Sequence, residues 1–361
     1  MISRAKRNNI FTYPDLSEAQ IFNARTNNIE YAAGKTVLSS YPRRIILELT
    51  NACNLHCIMC GREAVRFKPC FLSTEYIHWL HDALHYITEI TLMGWGEPTL
   101  HPEFDSVLMQ IGQYPCKKYI CTNGMLLDRY KESIVKNKVD LLSISINGAM
   151  SSTNDRIRDG SSLNTILSNI DALNAMRCSE VPAISFVFCI MKSNYSEICE
   201  LIELAYQHNV KRVKLVHMTA FSKKMLEEIM LDNMEELSQI FSSAKKLAEK
   251  YGIELELPYL YGEDPAGRKR HADCCMPWRD MFIGSDGVIR PCMSSSQTIT
   301  DLDTSKQFFE IWNCTEYQDL RAAVNSDNMP DQCSRCYQSS FCNWNLVKSY
   351  IQVSEDFAHE W

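Results

Sequence analysis

No run of apolar residues in this chain approaches the length of a membrane span, and no opening apolar stretch reads as a secretory signal. Excess positive charge is missing too. The 37 Lys and Arg against 44 Asp and Glu leave a formal net charge of −7, so there is no basic footprint for nucleic acid. These absences make the cytoplasm the simplest expectation, with no membrane and no nucleic-acid partner. What is present is enough apolar sequence for a large core plus one extra module, 45% of 361 residues, together with sixteen cysteines. Without a signal segment, paired short cysteine spacings point away from a disulfide scaffold and towards metal in a reducing compartment.

Three of those thiols, Cys53, Cys57 and Cys60, stand at C-x3-C-x2-C spacing just after the strand-like run Arg44 to Leu49. Three thiolates can hold three irons of a [4Fe–4S] cube and leave the last iron open, whereas a zinc site usually wants a fourth Cys or His and paired C-x2-C spacing. About 35 residues on, Gly94-Trp95-Gly96-Glu97-Pro98 follows a second apolar run. Glycine lets backbone carbonyls approach a ligand closely, and Glu97 adds acceptor capacity for an ammonium group. Thr122-Asn123-Gly124, Ser143 to Gly148 and Arg156-Ile157-Arg158 follow in turn.

The cysteine loop resembles that of the radical S-adenosylmethionine (SAM) superfamily, in which SAM chelates the open iron. The Gly94–Pro98 stretch resembles the family's G-G-E-P segment around the SAM amino group, with Trp95 in place of the usual second glycine. The resemblance implies ribose and carboxylate contacts from Asn123, Ser145, Asn147 and Arg158, with Asn147 where Asp is commoner. It also places Met59 near adenine, where an aromatic residue is frequent and a thioether can still pack.

From Arg43 to about Leu257, β-like runs at 44–49, 89–94, 117–122, 140–146, 183–190 and 211–218 alternate with helical patterns. The fold class expected is α/β, a partial (β/α)6 TIM-like barrel, with each motif at a strand's carboxyl end where ligands collect. Three segments are expected: an extension over 1–42, either solvated or forming a helix or cap on the barrel, the barrel over 43–257, and a small cysteine-rich domain over 258–361. The tail carries Cys274-Cys275, a hairpin from Phe282 to Arg290 turning at Ser285-Asp286-Gly287, then Cys292, Cys333-x2-Cys336 and Cys342. It resembles the SPASM and twitch auxiliary-cluster domains. One auxiliary [4Fe–4S] cluster is implied, held by Cys274 or Cys275 with Cys292, Cys333 and Cys336. The spacing to Cys292 leans towards Cys274, and Cys342 is an alternative ligand. A zinc ribbon is the competing reading of the tail.

The resemblance implies reductive cleavage of SAM to a 5′-deoxyadenosyl radical, hydrogen abstraction, and oxidation of the substrate radical through the auxiliary cluster. The expected partners are an electron donor such as flavodoxin or ferredoxin and a small-molecule substrate, a sugar, cyclitol or other natural-product intermediate. A maturase acting on a precursor peptide is the alternative, disfavoured by only about forty residues before the first strand. A non-catalytic iron–sulfur or zinc protein is a third reading. Tyr259, Tyr261, Glu263, Arg279 and Asp280 are the nearby groups from which a base could come, with none singled out. His78, His81 and His85 share one helix and read as surface packing, Cys189 reads as an ordinary packed thiol, and His217 and Met218 stand where a substrate mouth would be.

Overall fold

The computed structural model describes residues 16–64, 68–230, 232–258, 260, 274–293, 295 and 297–334. Cys336, Cys342, Tyr259, Tyr261 and Glu263 lie outside the described residues. Twelve strands are found among them: β1 Arg44–Leu47, β2 His56–Cys57, β3 Glu89–Leu92, β4 Lys117–Thr122, β5 Leu141–Ser145, β6 Arg158–Asp159, β7 Ala183–Ile190, β8 Arg212–His217, β9 Glu254–Glu256, β10 Asp280–Ile283, β11 Val288–Arg290 and β12 Thr300–Asp301. Ten of them form one sheet in the order β12-β11-β10-β1-β3-β4-β5-β7-β8-β9, and β10 through β9 run parallel.

All six strands expected from the alternation are present, because apolar runs such as Arg44–Leu47 and Glu89–Leu92 are buried along their whole length, as a helix-covered parallel sheet requires. Two further parallel strands extend the count. β9 adds to one edge, and β10 of the cysteine-rich tail pairs with β1 at the other, so the tail continues the barrel's sheet rather than standing behind it. Arg44 explains the join. It lies in register between Asp280 and Glu89, forms an ion pair with Asp280, and stands 3.8 Å from Glu89, so a buried cation is matched by carboxylates on both neighbouring strands. The β10–β11 hairpin turns where expected, with Gly287 at φ +77°, a conformation that favours glycine.

Over the described residues 16–42 the helix-or-cap reading holds rather than the solvated one. Ser17 and Gln20 form a reciprocal cap that starts a helix, Glu18–Ala32. Its buried stripe is polar: Gln20, Asn23, Asn27 and Glu30. Gln20 donates to the Ile87 carbonyl at 2.7 Å and Asn27 to the Trp278 carbonyl at 2.7 Å, while the Glu30 carboxylate accepts from Ser39 and Ser40. Phe22 and Ile29 face outward. Hydrogen bonds, rather than apolar burial, therefore hold this helix to the barrel.

The tail is fastened by Arg321. Its guanidinium lies against the rings of Trp312 and Tyr317, which meet each other edge to face, and donates to the carbonyls of Pro277, Thr36 and Trp312 at 2.8–2.9 Å. Burial pushes it down to about 10. Among the described residues no helix is long and apolar enough to cross a membrane.

Candidate functional site

The site grows from the carboxyl ends of the parallel strands. Beyond β1 the chain runs through Thr50-Asn51-Ala52 into Cys53, and this loop is fastened on three sides. The Thr50 hydroxyl donates to the Cys70 carbonyl at 2.7 Å, and Asn51 accepts from the Cys70 N–H at 2.8 Å. β2, which contains Cys57, pairs antiparallel with β6, setting Cys57 opposite Arg158. Asn123, at the end of β4, donates to the Asn54 side chain at 2.7 Å. A turn closed by the Cys60 N–H on the Cys57 carbonyl at 3.0 Å brings the last two thiols round.

Cys60 senses the other two thiols. Burial pushes Cys60 up to about 11, with Cys57 and Cys53 adding to the rise. Burial also raises Cys53, against the pull of Arg62 and Arg158. As bare thiols Cys53 and Cys60 lose by ionising here, so a cation is the natural compensation and its binding releases protons. Among the described residues no three His, Cys, Asp or Glu side chains converge closely enough for a single metal ion. Three thiols spread round a half-buried loop suit a larger, multi-iron group.

The glycines of 94–96 serve the loop before they serve a ligand. A Cβ on Gly96 would stand 2.2 Å from the Thr50 carbonyl oxygen and 2.4 Å from that of Ala52, and one on Gly94 would strike Glu48 at 2.3 Å. Glu97 also differs from the ammonium acceptor expected of it. Its buried carboxylate already accepts from the Thr99 N–H and hydroxyl, the Thr122 hydroxyl at 2.7 Å and the Asn123 N–H at 2.6 Å, tying the loops after β3 and β4 together. Burial raises this carboxyl despite those donors. Asn147 is likewise engaged, accepting from the Cys189 N–H at 2.8 Å. Arg158 is 2% exposed and its Nε has no hydrogen-bond partner, a donor left for an incoming acceptor. Ser145 ends β5, half-buried.

Met59 packs into a second apolar cluster at the mouth with Ile157, Met191, Met218, Ala220 and Met225. Phe221 lies where a Cβ on Gly61 would come within 2.8 Å of its ring, and it meets Trp95 edge to face at 5.9 Å. Cys189 belongs here as well. Burial pushes it up to about 12, and Cys57 is its electrostatic neighbour, a proximity that no spacing in the sequence signals. The histidine cluster stays outside: His81 hydrogen-bonds Tyr114 at 2.6 Å beside His85 on the barrel flank. Arg279 and Asp280 are corrected as sources of a base. They pair with each other, and Asp280 with Arg44, at the opposite end of the sheet.

In the tail the twin cysteines are unlike. Cys275 is the 6%-exposed N-cap of the helix Met276–Arg279, whereas Cys274 is half-buried and its backbone is held by Asn325 at 2.8 and 3.1 Å. Cys292 and Cys333 are half-buried too, and Cys333 packs against the core.

The family model for the radical SAM superfamily matches residues 47–205, and that for the SPASM iron–sulfur cluster-binding domain matches 274–337. A GTP 3′,8-cyclase from Synechocystis sp. is 26% identical over 293 residues, 73% of this chain and 84% of the cyclase. An Fe-coproporphyrin III synthase from Methanosarcina barkeri is 24% identical over 340 residues, 84% of this chain and 82% of the synthase. Among solved structures, Streptococcus suis SuiB bound to S-adenosylmethionine superposes with a TM-score of 0.65 at 17% identity, covering 89% of this chain and 77% of that one, which shows the shared fold. The chain carries a radical SAM domain followed by a SPASM domain, and with them the make-up of an enzyme that uses SAM and [4Fe–4S] clusters.

Proposed function

We propose that Cys53, Cys57 and Cys60 hold the SAM-binding cluster, and that the enzyme oxidises a small-molecule natural-product intermediate that presents an apolar face to the barrel mouth. The observation that carries this reading is the placement of Cys53, Cys57 and Cys60 with Gly96, Arg158 and the Met59–Met191–Met218 cluster at one end of the sheet. When bound at Cys53, Cys57 and Cys60 and at the tail cysteines, the clusters and SAM would supply hydrogen-atom abstraction and one-electron oxidation. The chain's own residues orient and shield. Arg158 offers its Nε to the SAM carboxylate, Asn123 and Asn147 hold the strand ends that border the ribose, and Ser145 adds a hydroxyl. Phe221, Trp95 and the methionines keep water from the radical.

The apolar wall suits a hydrocarbon-rich or planar face better than a sugar or cyclitol, whose hydroxyls would lose hydrogen bonds to water there. The curated relatives support a small molecule by their names, a cyclase of GTP and a synthase of Fe-coproporphyrin III. A peptide substrate is favoured by two likenesses, to SuiB solved with its precursor peptide SuiA and to anSMEcpe solved with Cp18Cys peptide. The auxiliary cluster is assigned to Cys274, Cys292, Cys333 and Cys336. The burial of Cys275 favours its twin. A flavodoxin or ferredoxin is the expected electron donor. The test is anaerobic reconstitution with iron, sulfide, dithionite and SAM: 5′-deoxyadenosine forms, and deuterium moves into it from a labelled substrate. A fully clustered preparation that leaves SAM intact would sink the proposal.

A further inference from the structure

Glu48 lies one residue beyond β1 and is 6% exposed. One carboxylate oxygen accepts from the Trp95 N–H at 2.6 Å. The other accepts from both the N–H of Ser285 at 3.1 Å and its hydroxyl at 2.8 Å. Trp95 belongs to the glycine-flanked loop after β3, and Ser285 is in the turn of the tail's hairpin. A single carboxylate thus joins the SAM-side loop to the SPASM domain. The fit leaves no slack, because Gly94 is the residue that makes room for the Glu48 side chain. A second arm reaches the same turn: the Cys70 thiol donates to the Ser285 carbonyl at 3.1 Å, and Cys70 is itself fastened to Thr50 and Asn51 at the root of the cysteine loop.

We infer that Glu48 is a positioning residue through which the SPASM hairpin sets the Gly94-Trp95-Gly96 loop against SAM. This rests on the proposed placement of SAM beside that loop. Glu48 needs an acceptor on both of its arms. An amide in its place has one acceptor oxygen and turns an N–H towards either Trp95 or Ser285, so one arm is lost and a buried donor is left unmatched.

Glu48→Gln, reconstituted as the full clustered chain, is expected to keep wild-type iron at both sites while binding SAM about tenfold more weakly. The change that SAM induces in the electron paramagnetic resonance spectrum of the reduced first cluster shrinks in parallel. Ser285→Ala removes only the hydroxyl and is expected to weaken SAM by roughly twofold to threefold, with the double variant no worse than E48Q because both act on one arm. Wild-type SAM affinity and spectrum in E48Q, or a fall in melting temperature alone, would overturn the inference. If E48Q does not retain iron, S285A decides: unchanged SAM affinity there overturns it too. A wild type that binds SAM normally beside an unaffected variant fails this inference only, whereas a wild type that never binds SAM fails the functional reading with it.

Discussion

Replacing Gly96 by Ala adds one methyl group and displaces the cysteine loop. The new Cβ would stand 2.2 Å from the Thr50 oxygen, 2.4 Å from the Ala52 oxygen and 2.7 Å from the Asn51 carbonyl carbon, where real contacts stay above 3.0 Å. Every clashing atom is backbone, so no side chain can swing away, and the loop must retreat by about 1 Å. The retreat strains the hydrogen bond from the Glu97 N–H to the Ala52 carbonyl, now 2.8 Å, and carries Cys53 with it, since Cys53 is the next residue. Overpacking of this kind costs roughly 1–3 kcal/mol of stability, which a domain of this size tolerates. Chemistry is more sensitive, because a misplacement of about 1 Å can cost a hundredfold in rate. The assay compares 5′-deoxyadenosine formation and iron per chain in reconstituted wild type and Gly96→Ala, with tail iron as the internal reference. SAM cleavage within twofold of wild type would refute the idea that Gly96 exists to admit the cysteine-loop carbonyls.

Removing the three loop thiols together, Cys53→Ala, Cys57→Ala and Cys60→Ala, should abolish SAM cleavage and leave tail iron in place. Cys333→Ala with Cys336→Ala should do the reverse, read by iron and labile-sulfide analysis. Arg321→Met should cost about 4 kcal/mol in denaturant unfolding, since three buried carbonyls lose a charged donor that methionine cannot replace. Glu30→Gln tests pH linkage. Burial alone would raise Glu30, but the hydrogen bonds from Ser40 and Ser39 outweigh it and hold the carboxyl below its usual 4.5. A lowered folded-state pKa contributes stability above the unfolded value and loses it as pH falls through the folded one. The wild type should therefore exceed E30Q in unfolding midpoint at pH 7, and the gap should close below pH 4.5.

The barrel was legible because its signals are local. Strand runs such as Ala183–Ile190 carry their burial in their own composition, and the thiol spacing of Cys53, Cys57 and Cys60 states its chemistry within eight residues. Residues 1–42 stayed open between a solvated extension and a helix or cap for a physical reason: the inward face of Glu18–Ala32 is Gln, Asn and Glu, which pattern reading assigns to solvent, and the carbonyls of Ile87, Tyr41 and Trp278 make that face an interior one. Glu97 is expected from the sequence as a ligand contact, and folding shows that it also ties two strand ends together, because two of its donors arrive from the end of β4.

Periodicity along the chain was enough to determine the parallel α/β scaffold, and the family resemblance carried by the cysteine spacings was enough to point to SAM and iron–sulfur clusters. Folding alone decided that β10 of the tail joins the barrel's sheet, that Cys189 lies beside Cys57, and that Glu48 meets Ser285 from 237 residues away. A residue's period along the chain states which face it occupies. The donor or thiol waiting opposite that face is supplied by distant chain, and only packing brings the two together.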